Sequence, residues 1–510
     1  MTQTSAPDFL HDSVSLSLLH QVRSRITFRI LVYGGLGIAL VLRVVLAIWV
    51  PFTDTTEARY GEIARVMVET GDWVTPWFDD GVPFWGKPPL HTWLSAAGMK
   101  LFGISEFGAR FFILVVSVFC LGVIGKWAAL RRGSDVALVA VLICALSLFY
   151  FGASAFVMTD MPMVLGLVMS MIGFYEASRG GSAARMWGYL FFAGLSVGLL
   201  AKGPTAVVLT GLALTPWLLL GGRWRRLAHL PWVSGLVLTI SLAAPWYILA
   251  ELSTPGFLRY FLIGEHIERF LVPGWAGDLY GVGHERAKGM IWAYAPGVFL
   301  PWTPLAIALL VMRPRAVRAA FAEDDWLSYL GFWVLAPLIL FTPSANILAA
   351  YLLPALPAAS LLLAVLWVQI FGLSSRLSRL SLLLPTCLAL GIYATLAALP
   401  MVAPDRIRLK TLRPMVSAIA EIAPNAVLTT FPDRRFSAEF YTTGRAESQS
   451  DLTALTALMS NNRLDAVAVR RDYLRRATAS LTPGFRNAGT FGRYVLFLER
   501  PNLSNKGIGQ

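Results

Sequence analysis

Long apolar stretches separated by short polar connections recur along most of this 510-residue chain. About eleven of them are long enough to cross roughly 30 Å of hydrocarbon as helices. They fall near 30–50, 108–130, 135–153, 160–178, 186–201, 204–221, 231–250, 289–312, 327–343, 347–371 and 380–402. A helix satisfies its own backbone in lipid, which suits segments whose centres are nearly free of charge. After about residue 404 the pattern changes. Met415–Ile422 and Leu452–Met459 are helix-like, while Ala426–Phe431, Asp465–Val469 and Tyr494–Leu498 are strand-like, with Pro and Gly between them. The expected fold is an all-α polytopic membrane protein of about 11–13 transmembrane helices with a small C-terminal α/β domain. The expected divisions are an N-terminal segment 1–29, a membrane domain 30–403 and a terminal domain 404–510.

Two connections are too long to be simple turns, 51–107 and 251–288. In the first, Ala58, Ile63, Ala64, Met67 and Val68 recur at helical spacing after Glu57. Pro88-Pro89 can open a second helix with Leu90, Trp93, Leu94 and Ala97 on one face. Both are expected to lie in the membrane interface, with Trp73, Trp77, Trp85 and Trp93 at headgroup level.

Composition rules out a soluble globule: 56% of residues are hydrophobic and 14% charged, against roughly 25% charged in soluble domains. The formal net charge of +13 would suit a nucleic-acid binder, but its placement argues otherwise. Arg23, Arg25 and Arg29 precede the first span; Lys126, Arg131 and Arg132 follow the second, and Arg223, Arg225 and Arg226 the sixth. The intervening short connections 153–159 and 344–346 hold no Lys or Arg. This alternation sets topology, with a smaller share for anionic headgroups, and implies no nucleic-acid partner. It places the N-terminus in the cytoplasm, and the two long loops and the terminal domain outside. The first span is too long for a signal-peptide core and is expected to be retained. Cys120, Cys144 and Cys387 all fall in apolar spans, so neither a disulfide framework nor a cysteine metal site is expected.

Candidate chemistry concentrates on the outer side. Asp54, Glu57 and Glu62 fit a solvated helix start with a capping-box-like pattern. Asp54 nevertheless follows the first span directly, and Asp160 opens the fourth span at the same outer level. Two acids on one face can serve as a base, a sugar ligand or a site for a divalent cation such as Mg or Mn, although no complete ligand set is spelled out. Lys87 before Pro88-Pro89 can be a snorkelling lysine or, at a helix start, a phosphate ligand. Lys202 offers a second anion contact on a side otherwise poor in cations. His266 and Arg269 are one helical turn apart and can face one cavity. No phosphate-binding Gly-rich motif is present.

These residues resemble a known family. Thr56-Glu57-Ala58-Arg59-Tyr60, Gly71-Asp72-Trp73-Val-Thr-Pro76 and Lys87-Pro88-Pro89-Leu90 resemble the first outer loop of the bacterial ArnT/protein-mannosyltransferase-like membrane glycosyltransferases. Thr159-Asp160-Met-Pro162, Ala201-Lys202-Gly203-Pro204, Pro245-Trp246-Tyr247, His266-x-x-Arg269-Phe270, Pro301-Trp302 and Asn346 with Tyr351-x-x-Pro354 follow in the same order. The resemblance implies a GT-C fold and an inverting enzyme of the bacterial inner membrane. Such an enzyme takes a sugar from a polyprenyl-phosphate carrier to a glycolipid, such as lipid A, or to a protein on the periplasmic face. It implies Asp54 as a catalytic acid, with Glu57 able to share the role and Asp160 as a second acid. It implies Lys87 as a ligand of the carrier phosphate, with Lys202 and Arg269 beside it, and Arg59, Tyr60, His266 and Tyr351 near substrate. Two positions depart from the pattern: Thr56 stands where the family has an Asp, and no Lys directly precedes Tyr351. A transporter or flippase without chemical turnover, and a catalytically silent scaffold, are the rival classes. The first would place polar residues at mid-bilayer depth in repeated halves.

Overall fold

The computed structural model describes residues 8–281, 284–373, 375–402, 409–461 and 463–500. The expected start of the terminal domain, near 404, lies outside them. Among the described residues seven helices are long and apolar enough to cross a membrane: Arg25–Trp49, Glu106–Arg132, Asp160–Ser178, Ala184–Lys202, Trp232–Ser253, Ala349–Phe371 and Arg376–Pro400. Two bent pairs pass the same test together, Met290–Val298 with Thr303–Met312 at 103° and Pro314–Glu323 with Asp325–Phe341 at 107°. Ser134–Leu146 and Pro204–Leu220 are shorter apolar helices. Each apolar stretch of the sequence thus holds a helix, but two stretches are broken. The helix from Ser134 stops at Ser147, whose backbone is extended, and a second helix runs Leu148–Ala153. The stretch 289–312 bends between Val298 and Thr303, where Pro301 has no N–H to continue a helix.

The chain divides into two compact units. One takes in Met1–Ala47, Asp79–His91 and Phe111–Ala397; the other takes in Ile48–Phe78, Thr92–Arg110 and Ala398–Gln510. Hydropathy alone gives no hint that the first long loop is shared between them.

In the first unit, the Asp160–Ser178 helix is buried over most of its length and packs on Ala184–Lys202 through small residues. A Cβ on Gly173 would sit 2.4 Å from the Phe191 backbone N, and one on Gly166 would sit 2.6 Å from the Gly198 N. Such contact between backbones replaces the hydrophobic drive that lipid cannot supply. The Trp232–Ser253 helix is peripheral instead, with Val233, Leu236, Val237 and Ile240 exposed as a lipid-facing surface requires.

The second unit contains a five-stranded sheet ordered Glu447–Ser448, Val427–Phe431, Asp465–Arg470, Tyr494–Glu499, Phe485–Phe491. The first three strands are parallel and the last two pairings antiparallel. Alternation decides which face each residue takes. Ala466, Ala468, Leu496 and Leu498 pack on one side with Met415 and Ile419, while Val467, Val469, Val495 and Phe497 pack on the other with Ala477 and Leu481. The sheet is therefore covered by helices on both faces. Sequence missed the Phe485–Phe491 strand and the short Phe436–Tyr441 and Leu474–Leu481 helices.

The first-loop helix, Thr56–Thr70, belongs to this unit and packs on Phe436–Tyr441. Ala58, Tyr60, Ile63, Ala64 and Met67 are buried on it, and so are Glu57, Glu62 and Arg65. The solvated helix start expected from sequence is corrected: Glu57 pairs with Arg110, and Glu62 with Arg65, inside the protein. The helix ends at Gly71, whose φ of 71° is the left-handed conformation glycine adopts freely.

Candidate active site

Lys87 is presented by a pinned segment of the first unit. The Tyr280 hydroxyl donates to the Pro83 carbonyl at 2.7 Å and accepts from the Trp85 amide at 2.8 Å. The Trp85 indole donates to Thr254 at 3.0 Å. The ammonium of Lys87 lies 2.5 Å from Glu265 Oε2 and also donates to the Gly86 carbonyl. Arg269 Nη1 reaches both oxygens of Glu265, at 2.9 and 3.1 Å, and its Nη2 lies 3.3 Å from Asp278 Oδ2. The acids are sunk and the cations are not: side-chain exposure is 3% for Glu265 and 5% for Asp278, but 20% for Lys87 and 22% for Arg269. Burial opposes ionisation of Glu265, yet Lys87 and Arg269 outweigh it and hold that carboxyl below its ordinary range.

Glu265 and His266 lie on a π-helical segment, Tyr260–Glu268, a wide turn frequent at functional sites. Asn346 fixes its far end, donating to the carbonyls of Arg269 at 2.7 Å and Val272 at 3.2 Å. Burial pushes His266 below its ordinary value and so favours the neutral ring. Its Nδ1 is 2.7 Å from the Phe261 carbonyl, which can only accept, so the proton is assigned to Nδ1. Nε2 lies 3.4 Å from the Lys202 carbonyl, a longer contact with a second accepting oxygen.

Asp160 and Lys202 form a second pair, Nζ to Oδ1 2.5 Å, with side-chain exposures of 6% and 11%. Asp160 stands in the first turn of Asp160–Ser178, and Lys202 in the last turn of Ala184–Lys202. Each charge complements its helix dipole, so the pair sits where both helices favour it. The Lys202 ammonium lies 4.9 Å from the centre of the Tyr351 ring. Tyr351 is also within the electrostatic reach of Lys87, Asp160 and Arg269, which gathers these sequence candidates into one cluster with Glu265.

Asp54, Glu57, Arg59 and Tyr60 belong to the second unit. The expected capping box is not formed: Thr55 is the cap residue and makes no side-chain cap bond. Asp54 instead accepts from the Ser437 amide at 3.0 Å and from its hydroxyl at 2.5 Å, and its own N–H donates to the Lys410 carbonyl. Burial raises the Asp54 pKa above its ordinary value, while the Ser437 hydrogen bonds and the Arg435 charge pull it part of the way back. Both oxygens of Glu57 are taken by Arg110, at 2.8 and 2.7 Å, with side-chain exposures of 2% and 3%. Arg110 also donates to the Val50 carbonyl and stacks 4.9 Å over Phe52. This geometry makes Glu57 an anchor of the helix. Tyr60 is buried, with the Arg59 guanidinium 5.2 Å from its ring centre.

Asp160 lies in one unit and Asp54 in the other, and each carboxylate is taken up by its own partner. Among the described residues no group of three or more His, Cys, Asp or Glu is placed to hold a metal ion. Sequence reasoning missed Glu265, Asp278, Arg110 and Ser437 as partners. Glu265 was visible beside His266, but nothing local links it to Lys87, which is 178 residues away.

Residues 27–261 match the dolichyl-phosphate-mannose-protein mannosyltransferase family. An undecaprenyl phosphate-alpha-4-amino-4-deoxy-L-arabinose arabinosyl transferase of Erwinia tasmaniensis is 29% identical over 374 residues, 70% of this chain and 62% of the relative. The enzyme of that name from Aeromonas hydrophila is 32% identical over 333 residues, 62% of this chain and 56% of the relative. The chain thus matches less than two thirds of the length of these relatives. The crystal structure of ArnT from Cupriavidus metallidurans bound to undecaprenyl phosphate superposes with a TM-score of 0.74 at 20% identity, covering 92% of this chain and 98% of that one. The chain is a multi-pass membrane protein of the GT-C fold, similar in architecture to ArnT and in sequence to the aminoarabinose transferases and, over residues 27–261, to the protein mannosyltransferases.

Proposed function

We propose that this protein transfers a sugar from a polyprenyl-phosphate donor to an acceptor on the periplasmic face of the bacterial inner membrane. The likeness to undecaprenyl phosphate-aminoarabinose arabinosyl transferases supports the lipid-phosphate donor, and the acceptor is lipid A, another glycolipid or a protein. Charge alternation supports a cytoplasmic N-terminus and a periplasmic terminal domain. The observation that carries the reading is the pairing of two half-open cations, Lys87 and Arg269, over a floor of buried acid. Lipid phosphates are the anions that such a membrane-bound cluster would meet.

In this reading the acceptor displaces polyprenyl phosphate at the anomeric carbon. Lys87 and Arg269, with Lys202 nearby, stabilise the charge that develops on the leaving phosphate. Asp54 deprotonates an acceptor hydroxyl, or orients the sugar if the acceptor is itself a phosphate; Asp160 is the second candidate. Glu57 keeps its anchoring place with Arg110, and Arg59, Tyr60, His266 and Tyr351 are candidates for substrate contact. Mass spectrometry of lipid A and envelope glycans from a deletion strain tests the proposal. One sugar-sized mass should disappear and return with the wild-type gene, but not with Lys87→Met or Asp54→Asn. Full restoration by both variants would refute the assignment.

A further inference from the structure

The cations suited to a lipid phosphate are already neutralised within the fold. Lys87, Lys202 and Arg269 face Glu265, Asp160 and Asp278, charge for charge. Glu265 is the shared centre: its Oε2 takes the Lys87 ammonium, and Arg269 bridges both of its oxygens. A carboxylate gripped this way offers two anionic oxygens to two cations, much as one edge of a phosphate would. We propose that Glu265 is a built-in stand-in for the donor phosphate. It holds Lys87 and Arg269 in place until the lipid arrives and then surrenders them. The inference rests on the reading of this cluster as the phosphate site and adds a regulating residue to it.

The packing says which partner would move. Glu265 is 3% exposed on a π-helical turn whose far end Asn346 ties down, so the acid cannot follow a ligand. Lys87 and Arg269 are 20% and 22% exposed on long, flexible stems and can swing. Arg269 keeps Asp278 as a second hold while it turns. Such an arrangement limits how tightly the site holds phosphate. Without the competing acid, two unneutralised cations would bind donor and released polyprenyl phosphate alike, and uniform binding does not speed the reaction.

The test is the affinity of the purified full-length protein for undecaprenyl phosphate in lipid nanodiscs. Glu265→Gln keeps the shape and removes the charge; it should bind about tenfold tighter than wild type, the scale of one charge-assisted hydrogen bond. Asp278→Asn, which frees only Arg269, should shift in the same direction by less. A role for Glu265 in mere support gives the opposite sign, because Lys87 and Arg269 would lose their orientation. Unchanged or weaker binding by both variants therefore overturns the inference. A structure of the wild-type protein with the lipid bound supplies a readout independent of any variant. The Lys87–Glu265 contact should open from 2.5 Å to beyond ~4 Å, and a closed pair beside bound phosphate also overturns it. Failure of the wild type to bind undecaprenyl phosphate at all would instead count against the proposed function.

Discussion

Replacing Ser437 by Ala removes one of the two hydrogen bonds that Ser437 gives the Asp54 carboxylate and leaves the other, because the 3.0 Å contact comes from the backbone amide. The lost bond is the shorter one, 2.5 Å from the hydroxyl to Oδ2. Both bonds favour the ionised acid, whereas burial disfavours it and already holds the pKa above the ordinary carboxylate value. Loss of the hydroxyl must therefore raise that pKa further. A hydrogen bond to a charged group contributes about 1.5–3 kcal/mol, and one pKa unit corresponds to about 1.4 kcal/mol. Because the amide bond survives, the low end applies, which makes the carboxyl about tenfold harder to ionise. If Asp54 acts as the ionised base, the acidic limb of the pH–rate profile of sugar transfer should move up accordingly. Below the limb the rate would fall about tenfold, and on the high-pH plateau it would be unchanged. Ser437→Thr keeps a hydroxyl and should leave the limb in place. A limb that stays put in Ser437→Ala, or moves to lower pH, would refute the link between Ser437, Asp54 and proton transfer.

Other predictions concern the remaining charges and the helix packing. Arg110→Met should destabilise the second unit by about 3–5 kcal/mol, because it strands the Glu57 carboxylate in the interior, while Glu57→Met combined with Arg110→Met should recover most of that loss. Thermal unfolding of the purified protein reads both, and a single variant as stable as wild type would show that Glu57 is not the anchor described. Lys87→Met should weaken undecaprenyl phosphate binding by about 10–100-fold without lowering thermal stability by a comparable amount, as measured by titration in nanodiscs. Gly173→Leu, aimed at the Phe191 backbone, should cost about 1–3 kcal/mol and reduce yield in the membrane; stability equal to wild type would contradict the close helix contact.

The spans were legible because lipid allows few solutions: an uncharged stretch of sufficient length must be a helix. The breaks at Ser147 and Val298–Thr303 were less so, since hydropathy reports length and not direction. The terminal domain was read correctly as α/β where strands alternate cleanly, as in Asp465–Arg470, and was missed at Phe485–Phe491, where Arg486, Asn487 and Gly489 break the pattern. Lys87, Asp160, Lys202, Arg269 and Tyr351 stood out as polar groups at span ends. Their acidic partners did not, because Glu265 and Asp278 look like ordinary loop acids until burial and contact are known. The partner of Asp54 was hidden most deeply. Ser437 lies 383 residues away in a helix of six residues, and a local capping pattern offered Asp54 a plausible alternative.

The proposed function turns on one step, the breaking of a sugar–phosphate bond on a lipid carrier. The most direct measurement follows both products in proteoliposomes supplied with an undecaprenyl-phosphate-linked aminosugar and lipid A. Free undecaprenyl phosphate and sugar-modified lipid A should form in equal amounts, and both should be lost in Lys87→Met. Movement of the intact lipid-linked sugar across the bilayer, with neither product formed, would contradict the proposal.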